Sequence, residues 1–123
     1  MKKWIVSCSA IAALALSLSA AADCIYPKAP EKTPDGKTAT EAEMVEGMKA
    51  LKKFDTEVNA YTACLEQETS ARISEGGQEL QPDQVQQIKA IQSKRHNAAV
   101  DDLQAHAAQF NEQVRVYKAR SKS

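Results

Sequence analysis

The stretch TEAEMVEGMKALKKFDTEVNAYTACL, residues 40–65, decides the fold. Thr40-Glu41-Ala42-Glu43 is a capping box, in which the threonine hydroxyl and the Glu43 carboxylate each satisfy an amide donor that a first helical turn leaves open. Glu41, Glu43 and Glu46 add negative charge at the positive end of the helix dipole. Met44, Leu51, Val58 and Leu65 then recur every seven residues, with Gly47, Phe54 and Tyr61 three positions after the first three. That is an a/d seam, and it predicts a helix that packs one face against another helix. Lys49, Lys52, Lys53, Asp55 and Glu57 fill flanking, solvated positions. The expected helix covers residues 40–73, roughly 50 Å at 1.5 Å per residue, and Ser74-Glu75-Gly76-Gly77 breaks it.

A second helix is expected over residues 82–118. Pro82 suits a first turn because its missing amide proton is not needed there, and Asp83 adds a favourable charge. Val100, Leu103, Ala107, Phe110, Val114 and Tyr117 form the seam of its C-terminal half. Val85 and Ile88 extend that face imperfectly and Ile91 falls off it. Arg115, Lys118, Arg120 and Lys122 complement the dipole at its end. Two long helices joined by a short loop lie antiparallel. The expected fold class is therefore all-α, a long antiparallel two-helix hairpin, coiled-coil-like, over residues 40–120. Folding the chain at residues 74–81 sets Gly47 near Phe110, Phe54 near Leu103 and Leu65 near Ile91.

Upstream, residues 23–39 carry Pro27, Pro30 and Pro34 and then the turn pair Asp35-Gly36, with no helical period. This reads as an extended, polyproline-like segment ending in a turn. Residues 1–22 read as a signal peptide. Lys2 and Lys3 form a positive start, Trp4 to Leu18 an apolar run, and Ala20-Ala21-Ala22 the small-residue pattern for cleavage between Ala22 and Asp23. An uncleaved anchor is a second reading of the same stretch, against which the Ala/Ser richness and the cleavage pattern count. Cys8 is a small residue inside the leader. Cleavage leaves 101 of the 123 residues, enough for one domain, with no stable membrane insertion expected afterwards.

Export implies an oxidising compartment, where Cys24 and Cys64 are expected to pair. Cys64 lies about 36 Å along the helix from Thr40. The segment from Cys24 to Pro34 spans about 31 Å at the ~3.1 Å rise of polyproline II, so the segment can fold back and reach it. Ile25 and Tyr26 would then cover the seam. An intermolecular disulfide or a free thiol is the competing reading.

The mature chain carries 14 basic and 16 acidic residues, without the positive excess with which a nucleic-acid binder meets phosphates. Four of its five aromatic residues, Phe54, Tyr61, Phe110 and Tyr117, fall on the helical seams, as packing rather than as a platform for bases. His96 and His106 are ten residues apart, roughly 15 Å along one helix, and cannot share a metal ion; His96 reads as a core-edge imidazole. Met44 and Met48 are one turn apart, but no His or Cys accompanies them as soft-metal ligands do. Glu66 and Glu68 read as a solvated acidic face beside Cys64, and Cys64 lacks the Cys-x-x-Cys context of a redox thiol. With no nucleophile-and-base set and no phosphate-cradling loop, the expectation is a chain that is not an enzyme and takes no cofactor or metal.

Pro34-Asp35-Gly36, Tyr61-Thr62-Ala63-Cys64-Leu65-Glu66, His96-Asn97-Ala98-Ala99-Val100-Asp101 and Phe110-Asn111-Glu112-Gln113-Val114-Arg115 together resemble small exported helical proteins of proteobacteria that have no assigned activity. That resemblance implies a Gram-negative periplasmic setting and leaves secretion beyond the outer membrane open. Leu80-Gln81-Pro82-Asp83-Gln84 is similar to the Leu-Thr-x-x-Gln motif of Spy/CpxP-type periplasmic chaperones and stress sensors, with Gln81 in place of threonine and one copy instead of two. The expected function is a structural or protein-interaction module whose partner is a protein, a second copy of itself included. The alternative is an ATP-independent chaperone or envelope-stress protein, for which Ile73, Val85, Ile91 and Val116 would supply apolar surface.

Overall fold

The computed structural model describes residues 23–123. Helix α1 runs Glu41–Gly76 and helix α2 runs Pro82–Ser121, with a 3-10 turn at Gly77–Glu79 between them. The two helices pack antiparallel, and among the described residues there is no strand. The leader and Ala22 lie outside the described residues; Asp23 is exposed.

The local signals act as expected at the start of α1. Thr40 Oγ1 accepts from the Glu43 amide at 3.2 Å, and Glu43 Oε2 accepts from the Thr40 amide at 2.6 Å. That backbone donor, seconded by the Thr40 hydroxyl, holds the Glu43 carboxyl below the usual carboxylate range. The far end of α1 continues past residue 73. Ser74, Glu75 and Gly76 remain helical, and the chain turns only at Gly77, whose φ of 50° is the left-handed value that glycine adopts without strain. Leu80 folds back over Gly76, and Gln84 Oε1 accepts from the Gln81 amide at 2.8 Å. Residues of the Leu80–Gln84 motif thus have local tasks in closing one helix and starting the next.

The core lies in two clusters along the hairpin. Phe54, Val58, Tyr61 and Leu65 pack with Ala99, joined by Val100 and Leu103. Nearer the chain ends, Met44, Ala39 and Phe110 pack with Leu51, Val114 and Tyr117. Gly47 sits under Phe110, where an added Cβ would come within 2.9 Å of the ring. Ile91, expected opposite Leu65, is instead 55% exposed. It precedes Leu103 by twelve residues, which turns it about a third of a revolution off the seam. Leu65 packs in the cluster built around Ala99.

The third part of the fold is residues 23–39, which form an extended strap across the two helices. Cys24 and Cys64 are disulfide-bonded, with their Cα atoms 5.7 Å apart, so the pairing is within the chain. At the other end, Asp35 O accepts from the Thr38 and Ala39 amides at 3.1 and 2.7 Å, which turns the chain into α1. Covered positions along the strap are Cys24, Pro27, Pro30, Thr33, Gly36 and Ala39, with Ala29 and Pro34 beside two of them. A three-residue repeat is the period of polyproline II. It also corrects the expectation for Ile25. One position after Cys24, this residue faces out and is 86% exposed, while Tyr26 packs edge-on against Tyr61 at 5.3 Å.

Candidate interaction surface

The strap divides the hairpin into a braced base and a bare distal arm. Its contacts with the base are specific. Tyr26 donates to Asp102 Oδ2 at 2.7 Å, and the Gly36 amide donates to Gln113 Oε1 at 2.8 Å. Arg120 donates to the carbonyls of Lys37 and Ala39 at 2.7 and 2.6 Å, while its guanidinium lies 5.0 Å from the centre of the Tyr117 ring. Pro34 rests on Gly47, where a Cβ would meet the proline ring at 2.6 Å. The hydrogen bond to Asp102, and then burial, push the Tyr26 hydroxyl up to about 12 from its ordinary 10.0.

Beyond the strap, no residue between positions 66 and 98 is buried. Glu68 bridges Arg72 at 2.8 Å and Arg95 at 3.3 Å, and Arg95 lies over the Tyr61 ring at 5.9 Å. This network takes over the groove where the strap stops. Glu68 was expected to be solvated beside Glu66; Glu66 is exposed, but the Glu68 side chain is only 17% exposed because the two arginines cover it. Sequence reasoning missed this because Arg95 and Glu68 lie on different helices, 27 residues apart.

The other singled-out residues separate in space or in role. His96 is half-buried and its Nδ1 lies 3.4 Å from Asn97 Oδ1. His106 is the imidazole that packs against the core: its ring stands edge-on to Phe54 at 5.6 Å, and its buried Nδ1 makes no hydrogen bond among the described residues. The phase of the α2 seam, one residue before Ala107, is the signal that would have found it. Met44 is buried while Met48 is exposed. Among the described residues, no three His, Cys, Asp or Glu side chains converge as a metal-binding group. Of Ile73, Val85, Ile91 and Val116, only Ile91 is exposed; the other three are half-covered.

Concave features are open troughs beside the strap. One, about 950 Å³, runs between the strap and the first turns of α1, floored by Ala39, Ala42, Gly47 and Ala50. A small space of about 10 Å³ under Pro30 and Pro34 shows how closely the strap seats on Leu51, His106 and Phe110. No helix of the described residues is long and apolar enough to cross a membrane. What the arrangement offers chemically is side-chain surface: an arm of two helices with mixed charge, exposed on every side. The chain matches no protein-family model, and neither the curated proteins nor the solved structures contain a match to it.

Proposed function

We propose that this chain is a non-enzymatic protein-interaction module of the Gram-negative periplasm, exported by the residue 1–22 leader and used through its distal arm. The observation that carries the reading is the division of the hairpin at Cys24. Residues 23–39 brace one half through a disulfide and hydrogen bonds, while residues 66–98 have helices but no covering layer. A partner protein would supply that layer, meeting a helical face already ordered by the braced base. The disulfide fits an oxidising compartment. A chaperone would need a continuous exposed apolar surface, and the exposure of Ile91 alone among the four off-seam residues favours the interaction module.

The test is site-specific photo-crosslinking in living Gram-negative cells that express the full chain. A crosslinker at position 91 or 71 should give discrete protein adducts in the periplasmic fraction, and one at position 52 on the base should not. Retention in the cytoplasm, or no adduct at any distal position, would refute the proposal.

A further inference from the structure

The strap is fastened at its two ends and only rests in its middle. At one end are the Cys24–Cys64 disulfide and the Tyr26–Asp102 hydrogen bond. At the other, the Gly36 amide donates to Gln113 and Arg120 donates to the carbonyls of Lys37 and Ala39. Among the described residues, nothing from Pro27 to Asp35 hydrogen-bonds either helix, and the Lys28–Glu31 bond stays within the strap. Packing alone seats Pro30, Thr33 and Pro34 on the groove.

Under that middle lies His106. It shares a space of about 10 Å³ with Pro30, Lys32, Pro34, Leu51 and Phe110, and its Nδ1 is buried without a partner. A neutral imidazole fits this seat, because Nδ1 can be the ring nitrogen that carries no proton. An imidazolium carries a proton on both nitrogens, so a donor and a full charge would be buried with no acceptor and no room for a water shell. The surrounding charges do not offset this. The strap brings Lys32 to the same space, where α1 contributes only Gly47 and Leu51. Lys53 and Glu57 of α1, with Lys28 and Glu31 of the strap, border Phe54 and Pro30 in a separate trough and pair among themselves at 3.7 and 2.7 Å. On α2, Asp102 stands one turn before His106 but is engaged by Tyr26, and no carboxylate oxygen bonds Nδ1.

We propose that His106 makes the strap a pH-operated cover. Protonation of the imidazole lifts residues 29–34 as a bow between their two fastened ends and opens a groove floored by Gly47, Leu51 and Phe110. The cation is disfavoured only while the strap is down. The cover is therefore closed where the imidazole is neutral and loosens as pH falls. One proton sets the limit: the ratio of lifted to seated strap rises by at most about tenfold per pH unit. Between pH 7 and pH 5 imidazoles take up their proton while carboxylates stay mostly ionised, so that window isolates the effect.

The test is proton–carbon NMR on isotope-labelled protein recovered from the periplasmic fraction of cells expressing the full chain. At pH 7 the ring protons of Pro30 and Pro34, seated beside His106 and Phe110, should carry ring-current shifts. By pH 5 they should move toward the values of unstructured proline, in step with the His106 imidazole protons. The Gly36 amide resonance and the helix content by circular dichroism should not change. His106→Gln and His106→Phe, which take up no proton, should each keep the pH 7 proline shifts down to pH 5. His96→Gln, at the chain's other histidine, should leave the response intact. Lys32→Glu, which puts a carboxylate by the imidazolium, should lower the midpoint by about half a pH unit. Proline shifts that stay fixed overturn the proposal, whether or not His106 titrates. So does a response that survives in either His106 variant, or one in which helix is lost along with the seat. If both His106 variants leave the strap lifted already at pH 7, Lys32→Glu decides: a lowered midpoint sustains the proposal and an unmoved one overturns it.

Discussion

Replacing Gly36 by alanine should unseat the foot of the strap, although Gly36 has no unusual backbone angle to protect. A Cβ there would run into the Gln113 carbonyl oxygen, lie 2.9 Å from the Tyr117 amide nitrogen and 3.0 Å from Val116 Cβ. Two of these are main-chain atoms inside α2, held by the helical ladder, so the turn at residues 35–38 must lift away. Lifting breaks the Gly36-to-Gln113 hydrogen bond, about 1 kcal/mol. It also strains the two Arg120 bonds to Lys37 and Ala39, of which losing one costs about 1.5–3 kcal/mol. Against this stands a gain of ~0.4–1 kcal/mol from the stiffer unfolded chain. The expected net loss is about 2–3 kcal/mol, read from urea unfolding followed by circular dichroism. Gly76→Ala is the control, because its Cβ meets only the flexible end of Leu80 and alanine is the better helix former. It should cost under about 1 kcal/mol. Equal effects at the two sites, or a stabilising Gly36→Ala, would refute the seating of the strap.

Three further outcomes are expected. Cys24→Ser/Cys64→Ser should lower stability by about 4 kcal/mol on the chain-entropy estimate for the loop that the bond closes, and the unaltered protein should show neither a titratable thiol nor a reducible dimer on gels. The Tyr26–Asp102 contact favours the neutral phenol, so its stabilisation is intact below pH 10.0 and lost as pH rises toward about 12; Tyr26→Phe should flatten the fall in unfolding free energy across that window and remove the late tyrosine step in ultraviolet absorbance. Phe54→Ala, which empties a site 1% exposed beside His106, should cost about 3–5 kcal/mol by urea unfolding.

The hairpin was legible because its signals are local. The Thr40–Glu43 cap and the Met44-to-Leu65 heptads act within a few residues of themselves, and the structure keeps both. The disulfide was legible as a matter of reach. The direction of Ile25 was not, because the strap's three-residue period is written in small residues and prolines, Cys24 to Ala39, and only docking shows which third faces inward. Ile91 was misplaced because the register that sets Gly47 at Phe110 and Phe54 at Leu103 brings Gln92 level with Leu65, and twelve residues of helix turn Ile91 off the seam that Leu103 defines. The Glu68–Arg95 bridge and the Arg120 bonds to the strap join residues far apart in sequence, 27 in the first case and more than 80 in the second. No local pattern announces such pairs, and they mark where the strap begins and ends.

Amide hydrogen exchange read peptide by peptide tests most directly that a braced base carries a bare arm awaiting a covering layer. Residues 44–65 and 99–117 should exchange slowly, because the strap and the disulfide cover and pin them within one chain. Residues 66–98, which no strap covers, should exchange much faster. Uniform protection of both halves, or faster exchange in the base than in the arm, would contradict the account.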